Sequence, residues 1–432
     1  MKTAIAGVIA VLAPLVAPAA HATEVPTAGN QLEWVVDATG RVPVSDVELE
    51  QHIAQVLMTA AGGTAGVNAA LTGLGRLEVK RVVTEASDHV QAAVHGPVDD
   101  YLLDVHVDRT GLIDGLHATP DDPVPSSWPE VDAQLATLGG RVSFGASEIL
   151  PDGRCRDVHG SRDNVQRPLG SAFKLYVLGA LGTAVAEHKA SWTEQLAIRD
   201  DWKSLPSGVL QNQPAGTRLP LSEYAGKMIS ISDNTAADHL IHRLGREAVQ
   251  RQVTAFGNQR PSANVPFLTT KALFELKATQ YPARADAYLA LPRWARPAAL
   301  TGLERLPLTG LTSWPRPEKI DQLEWFGSPD DICRAFSGLQ KENQPEIGHA
   351  LSLNDGGLGL DRAKFPEVWF KGGSEPGVLT LNYLARTADG RSLVTSVMVS
   401  DPAAFLDENH VTARGIAVAK GAVALLAATL RR

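Results

Sequence analysis

Between Ala118 and Pro129 the chain reads Ala-Thr-Pro-Asp-Asp-Pro-Val-Pro-Ser-Ser-Trp-Pro, four prolines among polar residues. Proline fixes its own φ, lacks a backbone donor and turns the residue before it away from helix. No apolar period crosses this stretch, so it reads as a linker over 119–129. It parts a small α+β domain over 23–118 from a larger one over 130–432.

The first 22 residues read differently again. Lys2 precedes an apolar run from Ala4 to Ala20, and Ala20-His21-Ala22 has the small-x-small pattern of a cleavage site. This predicts a secretory signal peptide cut before Thr23, hence a secreted or extracytoplasmic protein. The short run and the prolines at 14 and 18 weigh against a transmembrane anchor, so no stable membrane span is expected after cleavage. A net charge of −8 over 432 residues sets aside nucleic acid and anionic membrane as partners. Two cysteines, Cys155 and Cys333, leave open whether they pair or are simply buried, and are too few for a thiolate metal site. His239-x-x-His242 lacks a third ligand nearby and reads as surface histidines.

In the small domain, Ser45-Asp46-Val47-Glu48 has a capping-box pattern and opens a helix with Leu49, Ile53, Val56 and Leu57 on one face. A glycine- and alanine-rich gap over 60–75 leads to three period-two stretches at 77–83, 89–94 and 101–107. The last turns through Asp108-Arg109-Thr110-Gly111 into 112–116, a hairpin. The expectation is helix first, antiparallel sheet after, with no chemical constellation.

Beyond the linker, a helix near 130–138 precedes strands at 141–150 and 154–158. Gly170-Ser171-Ala172-Phe173-Lys174 then opens an apolar helix. At helical spacing, i and i+3 share a face, so the Lys174 amine reaches the Ser171 hydroxyl, and the serine lies where free N–H groups favour developing negative charge. Ser232-Asp233-Asn234 sits between two apolar helical runs within 221–244. Residues 280–318, rich in proline and leucine, read as a loose insertion. The chain ends strand, strand, strand, helix, with Lys371-Gly372-Gly373-Ser374 at the end of an apolar strand, where glycine lets a ligand or backbone approach. The fold class is an α/β sandwich, an antiparallel sheet covered by the first and last helices of its domain.

Ser171-x-x-Lys174, Ser232-Asp233-Asn234 and Lys371-Gly372-Gly373, in that order within one domain, resemble the active-site set of class A β-lactamases and penicillin-binding proteins. The phrases Lys203 to Gly208, Pro266 to Thr270, Glu324 to Pro329 and Lys371 to Val378 are similar to the β-lactamase-like protein of clavulanic acid gene clusters and its exported actinobacterial relatives. That resemblance implies a steroid-isomerase-like (cystatin/NTF2-like) first domain, a β-lactamase/transpeptidase-like second one with a helical subdomain, and weak hydrolysis of cephalosporin esters. It also implies roles. Ser171 is the nucleophile, Lys174 takes its proton beside the second cation Lys371, and Ser232 relays the proton to the leaving group. Asn234 holds Lys174 and a substrate amide, and the backbone at Gly373 and Ser374, with the Ser171 N–H, binds the oxyanion.

Two departures bear on activity. Gly372 stands where the family has threonine, which removes a hydroxyl for a substrate carboxylate. Val265-Pro266-Phe267-Leu268-Thr269-Thr270 stands where such enzymes carry Glu-x-x-Leu-Asn, and it lacks the carboxylate that would activate water. Glu275 and Glu304 read as structural acids. The expected function is thus a serine hydrolase forming an acyl-enzyme with a β-lactam or ester, weakly turning over, with no cofactor and no metal. A penicillin-recognising or cell-wall-associated binder and a peptidoglycan DD-carboxypeptidase are the alternatives. Oligomeric state is left open.

Overall fold

The computed structural model describes residues 25–429 apart from 98–99, 206 and 309–313, so the expected signal peptide lies outside the described residues. The chain divides into two compact units, which part between Asp121 and Asp122.

The first unit begins with helix α1 (Ala28–Thr39), capped reciprocally by Thr27 and Asn30. Next come α2 (Asp46–His52), α3 (Gln55–Ala60) and α4 (Thr64–Leu74). Two of these differ from the sequence reading. The helix expected to run from Leu49 through Leu57 is broken, because the Ala54 N–H donates to Ile113 O at 2.8 Å and Ile53 bridges to Ile113. Ser45 still caps α2, but the Glu48 carboxylate accepts from the Trp34 indole and Arg41 instead of closing a capping box. The gap over 60–75 is largely helical, since Val67 and Leu71, four apart, bury one face of α4 in the core. Strands β1 (Glu78–Glu85), β2 (His89–His95), β3 (Asp100–Val107) and β4 (Ile113–Pro120) form an antiparallel meander in sequence order. Alternate residues Val90, Ala92, Val94, Leu103 and Val105 pack with Leu32, Val35 and Leu49.

The second unit begins with α5 (Trp128–Leu135), β5 (Arg141–Ile149), β6 (Cys155–Ser161), the short β7 (Arg167–Pro168) and α6 (Lys174–Ala186). A second small sheet, β8 (Gln195–Ala197) with β9 (Arg218–Pro220), leads into α7 (Leu221–Ser230), α8 (Asn234–Leu244) and α9 (Arg246–Ala255). Then follow α10 (Thr270–Ala278), α11 (Ala283–Ala290), α12 (Arg296–Leu303), β10 (Phe326–Gly327), α13 (Pro329–Glu342) and α14 (Pro345–Ser352). The supposed loose insertion therefore contains two helices, whose Ala285, Tyr288 and Leu300 join the core. Strands β11 (Glu367–Glu375), β12 (Val378–Arg386) and β13 (Ser392–Ser400) and helix α15 (Glu408–Thr429) complete the chain.

The main sheet is antiparallel in the order β11-β12-β13-β5-β6. One face packs Phe144, Leu381, Tyr383 and Val397 under α5 and α15. By length and composition α15 could cross a membrane, yet half of its apolar window is buried, as befits a helix that packs on the sheet. The other face, with Trp369, Leu384 and Met398, meets the helical layer built on α6. Lys174 to Gly182 is buried without interruption, so α6 is apolar all round and central. Cys155 on β6 and Cys333 on α13 form a disulfide with Cα atoms 6.2 Å apart.

Candidate active site

The serine turn is fixed from both sides. Arg167–Pro168 pairs with Phe326–Gly327, and the Leu169 N–H donates to Trp325 O at 2.8 Å. Gly170 has φ of +48°, and Ser171 follows in a single 3-10 turn that continues into α6. Across from it runs β11, held so close that a Cβ on Gly373 would lie 2.5 Å from Ser171 N and 2.3 Å from Leu169 O. Only glycine lets those two backbones meet, and the contact sets Ser171 and Ser374, the two expected oxyanion donors, on adjoining segments. The Thr380 hydroxyl locks the arrangement by donating to Leu169 O at 3.0 Å.

The Ser-Asp-Asn segment arrives from the break between α7 and α8. Ser232 takes φ of +57°, a left-handed conformation uncommon outside glycine and asparagine. Asp233 caps α8 through Ala236 N and also accepts from the N–H groups of Val209 and Leu210, at 2.7 and 2.9 Å. A Cβ at Gly208, where φ is +104°, would sit 2.2 Å from Asp233 Cγ, so this loop too depends on glycine. Ser207 ties down the same loop by donating to Ser232 O at 2.7 Å.

Lys174 is fully buried where these segments converge. Its Nζ lies 3.1 Å from Ser171 Oγ, 3.0 Å from Ser232 Oγ, 2.6 Å from Ser232 O and 2.7 Å from Asn234 Oδ1. Burial, and then the charge of Lys371, hold its pKa well below the ordinary lysine range, against the pull of Asp238 and Asp233. Lys371 Nζ donates to Gly372 O at 2.7 Å and lies 3.1 Å from Ser232 Oγ. Burial brings it down to about 7. Asn234 Nδ2 donates to Leu205 O, which orients its carbonyl toward Lys174. The residues singled out from sequence thus lie together: Ser171, Lys174, Ser232, Asn234 and Lys371 by direct contacts, Gly373 and Ser374 by the backbone approach.

The two acids read as structural, Glu275 and Glu304, are indeed held in ion pairs. Glu275 pairs with Arg284, and Glu304 with Arg246 and the Thr269 hydroxyl. His239 is not a surface residue: it is buried, with Nδ1 at Thr235 O and Nε2 accepting from the Arg199 N–H, while His242 stacks on Trp202. A 250 Å³ cavity opens at Ser171, with Phe173, Trp314, Trp325, Glu324 and Glu375 among its lining residues. Sequence reasoning missed both carboxylates. Each stands within a phrase that carried the family resemblance, which was the one available signal.

Residues 135–293 match the model of the β-lactamase enzyme family. This segment of the chain carries Ser171, Lys174, Ser232 and Asn234 and ends before Lys371. Among solved structures, the chain is similar to a β-lactamase from Sphaerobacter thermophilus at 21% identity and a TM-score of 0.49, over 71% of this chain and 99% of that one. It is similar to PBP-A at 17% identity and 0.45, over 72% and 99%, and to a β-lactamase from Burkholderia phymatum at 16% and 0.46, over 68% and 97%. No curated protein matches the chain.

Proposed function

We propose that this protein is an exported serine hydrolase that forms an acyl-enzyme on Ser171 with β-lactam or ester substrates and releases it slowly. The observation that carries the reading is the set of oxygens around Lys174. Ser232 O and Asn234 Oδ1 only accept, so they take two hydrogens from the amine. A neutral amine then has one lone pair left, and the Ser171 hydroxyl 3.1 Å away can donate into it. This is the state a general base needs, and burial beside Lys371 favours it.

In the reaction, Ser171 Oγ bonds to the acyl carbon as its proton passes to Lys174 Nζ. The negative oxygen that forms is bound by backbone N–H groups, a device in comparable sites worth about 3 kcal/mol per donor. Collapse breaks the bond to the leaving group, which takes a proton from Ser232 Oγ as that hydroxyl regains one from Lys174. Slow breakdown of the acyl-enzyme is supported by Val265 to Thr270, where no carboxylate is present to activate water. The same feature favours a penicillin-binding protein with negligible turnover as the second reading. The leader-like first 22 residues and the Cys155–Cys333 disulfide support export. Within this reading, a cephalosporin bearing a 3′-acetate is the substrate of choice for distinguishing ester from ring cleavage.

Intact-mass measurement over time after adding benzylpenicillin or that cephalosporin tests the proposal. Wild type is expected to gain a covalent adduct that Ser171→Ala does not form. Equal labelling of the two would overturn the serine assignment. An adduct that never decays would leave the binding reading in place of the hydrolase.

A further inference from the structure

The cavity at Ser171 has a direction. Lys174 and Ser232, which handle the leaving-group proton, and Lys371 beside them do not line it, whereas Ser171, Ser374 and Asn234 do. It therefore receives the acyl side of a substrate. Strand β11 shows how far it extends. Lys371, Gly373 and Glu375 alternate onto one strand face, and with Gly373 against Ser171, Glu375 lies about 7 Å beyond it, away from Lys371.

At that far end carboxyl groups outnumber ammonium groups. Glu375 accepts from Lys277 Nζ at 2.6 and 2.8 Å, and both side chains are almost wholly buried. Glu324, also buried, shares a hydrogen bond with Glu375 and accepts from the Trp325 N–H at 2.8 Å. Behind them Glu318 is buried, with Oε2 unpartnered among the described residues and the charges of Lys277 and Glu375 acting on it. Three carboxyl groups thus face one ammonium, and Lys277 is the cation among the described residues that bears on all three. Burial raises all three above the ordinary carboxylate range, and because Lys277 is bonded to Glu375, the proton of the pair resides on Glu324. One ammonium among three acids keeps Glu324 neutral, and a second cation entering the cavity would let Glu324 ionise against it as a charged hydrogen-bonded pair. The walls suit such a visitor. Trp325 stacks on Phe173 with centroids 3.7 Å apart, and Trp314 already lies under Lys277 Nζ at 5.3 Å, so aromatic faces that attract a cation line the cavity.

We propose that this end of the cavity is a subsite for a protonated amine, so that the preferred acyl donors carry a basic amine beside an aryl group. The inference rests on acyl transfer at Ser171. On binding, the ammonium donates hydrogen bonds to the carboxyl oxygens, and the proton held by Glu324 leaves to solvent. A neutral aryl acyl group fills the aromatic wall and leaves Glu324 protonated as it was. An acyl group bearing a carboxylate adds a fourth acid to the cluster.

Three penicillins with the same phenylacetyl core test this: one unsubstituted at the carbon next to the ring, one with an amine there, one with a carboxylate. Second-order rates of adduct formation on Ser171 are read by intact mass. The amine is expected to react about tenfold faster than the unsubstituted compound or more, and the carboxylate slowest, because a charged hydrogen bond in a buried site is worth that factor. Glu324→Gln should bring the amine-to-neutral ratio close to one, and Glu318→Gln, behind the wall, should lower it less. Equal or reversed rates in wild type, or a ratio unmoved by either substitution, overturn the subsite. Absence of an adduct with all three overturns acyl transfer itself, and the subsite with it.

Discussion

At the scale of single residues, the site works through a shortage of hydrogens. Lys174 meets four oxygens with fewer protons than an ammonium would need to satisfy them all. Because the charge of Lys371 helps lower Lys174, removing it raises Lys174 and leaves this proposed base protonated up to a higher pH. The rising limb of acylation rate against pH is therefore expected to move to higher pH in Lys371→Gln than in wild type, measured as the rate of adduct formation; an unmoved limb would detach Lys371 from the base. Asp233 acts differently. Its carboxylate holds three backbone N–H groups, so Asp233→Ala is expected to cost about 3 kcal/mol in urea unfolding, since buried donors lose a charged acceptor. The Ser171 and Lys174 pair was legible because helix geometry alone brings i and i+3 together. Glu324 and Glu375 were not, because nothing local marks either as buried, and only the tertiary fold sets them beside one another and Lys277.

At the scale of elements, the chemistry depends on where β11 meets the serine turn. Gly373→Ala is expected to lower the acylation rate by about 10² to 10³, the range seen when one oxyanion donor is lost, because the added methyl must push Ser171 N or Leu169 O away. Comparing the rate with the melting temperature of the same variant separates a displaced donor from a general loss of stability. Apolar runs foretold α6, the helices flanking Ser-Asp-Asn and the three closing strands. They failed at α4, where a segment rich in alanine and glycine carries only Val67 and Leu71 into the core, and at α11 and α12, where prolines at helix starts looked like breaks. The helix over 49–57 failed for a third reason: a long-range bridge to Ile113 won over local periodicity.

At the scale of the molecule, the proline-rich stretch holds the point at which the two compact units part, and the Cys155–Cys333 bond ties the larger one together. The sequence left that pairing open, since 178 positions separate the two thiols and proximity is a property of the sheet and α13. Cys155→Ser with Cys333→Ser is expected to lower stability by about 2 to 5 kcal/mol in denaturant unfolding, as a long loop is freed in the unfolded chain. The bond also makes residues 155–333 a closed ring, which has a consequence for wear. A single peptide cut anywhere in that ring yields two fragments that stay one covalent molecule. A cut after Lys174 leaves Ser171 and Lys174 on one fragment and Lys371 on the other, yet the pieces cannot diffuse apart. Protease-nicked protein should run as intact on a gel without reductant, split into two bands with it, and keep labelling with penicillin until the disulfide is reduced.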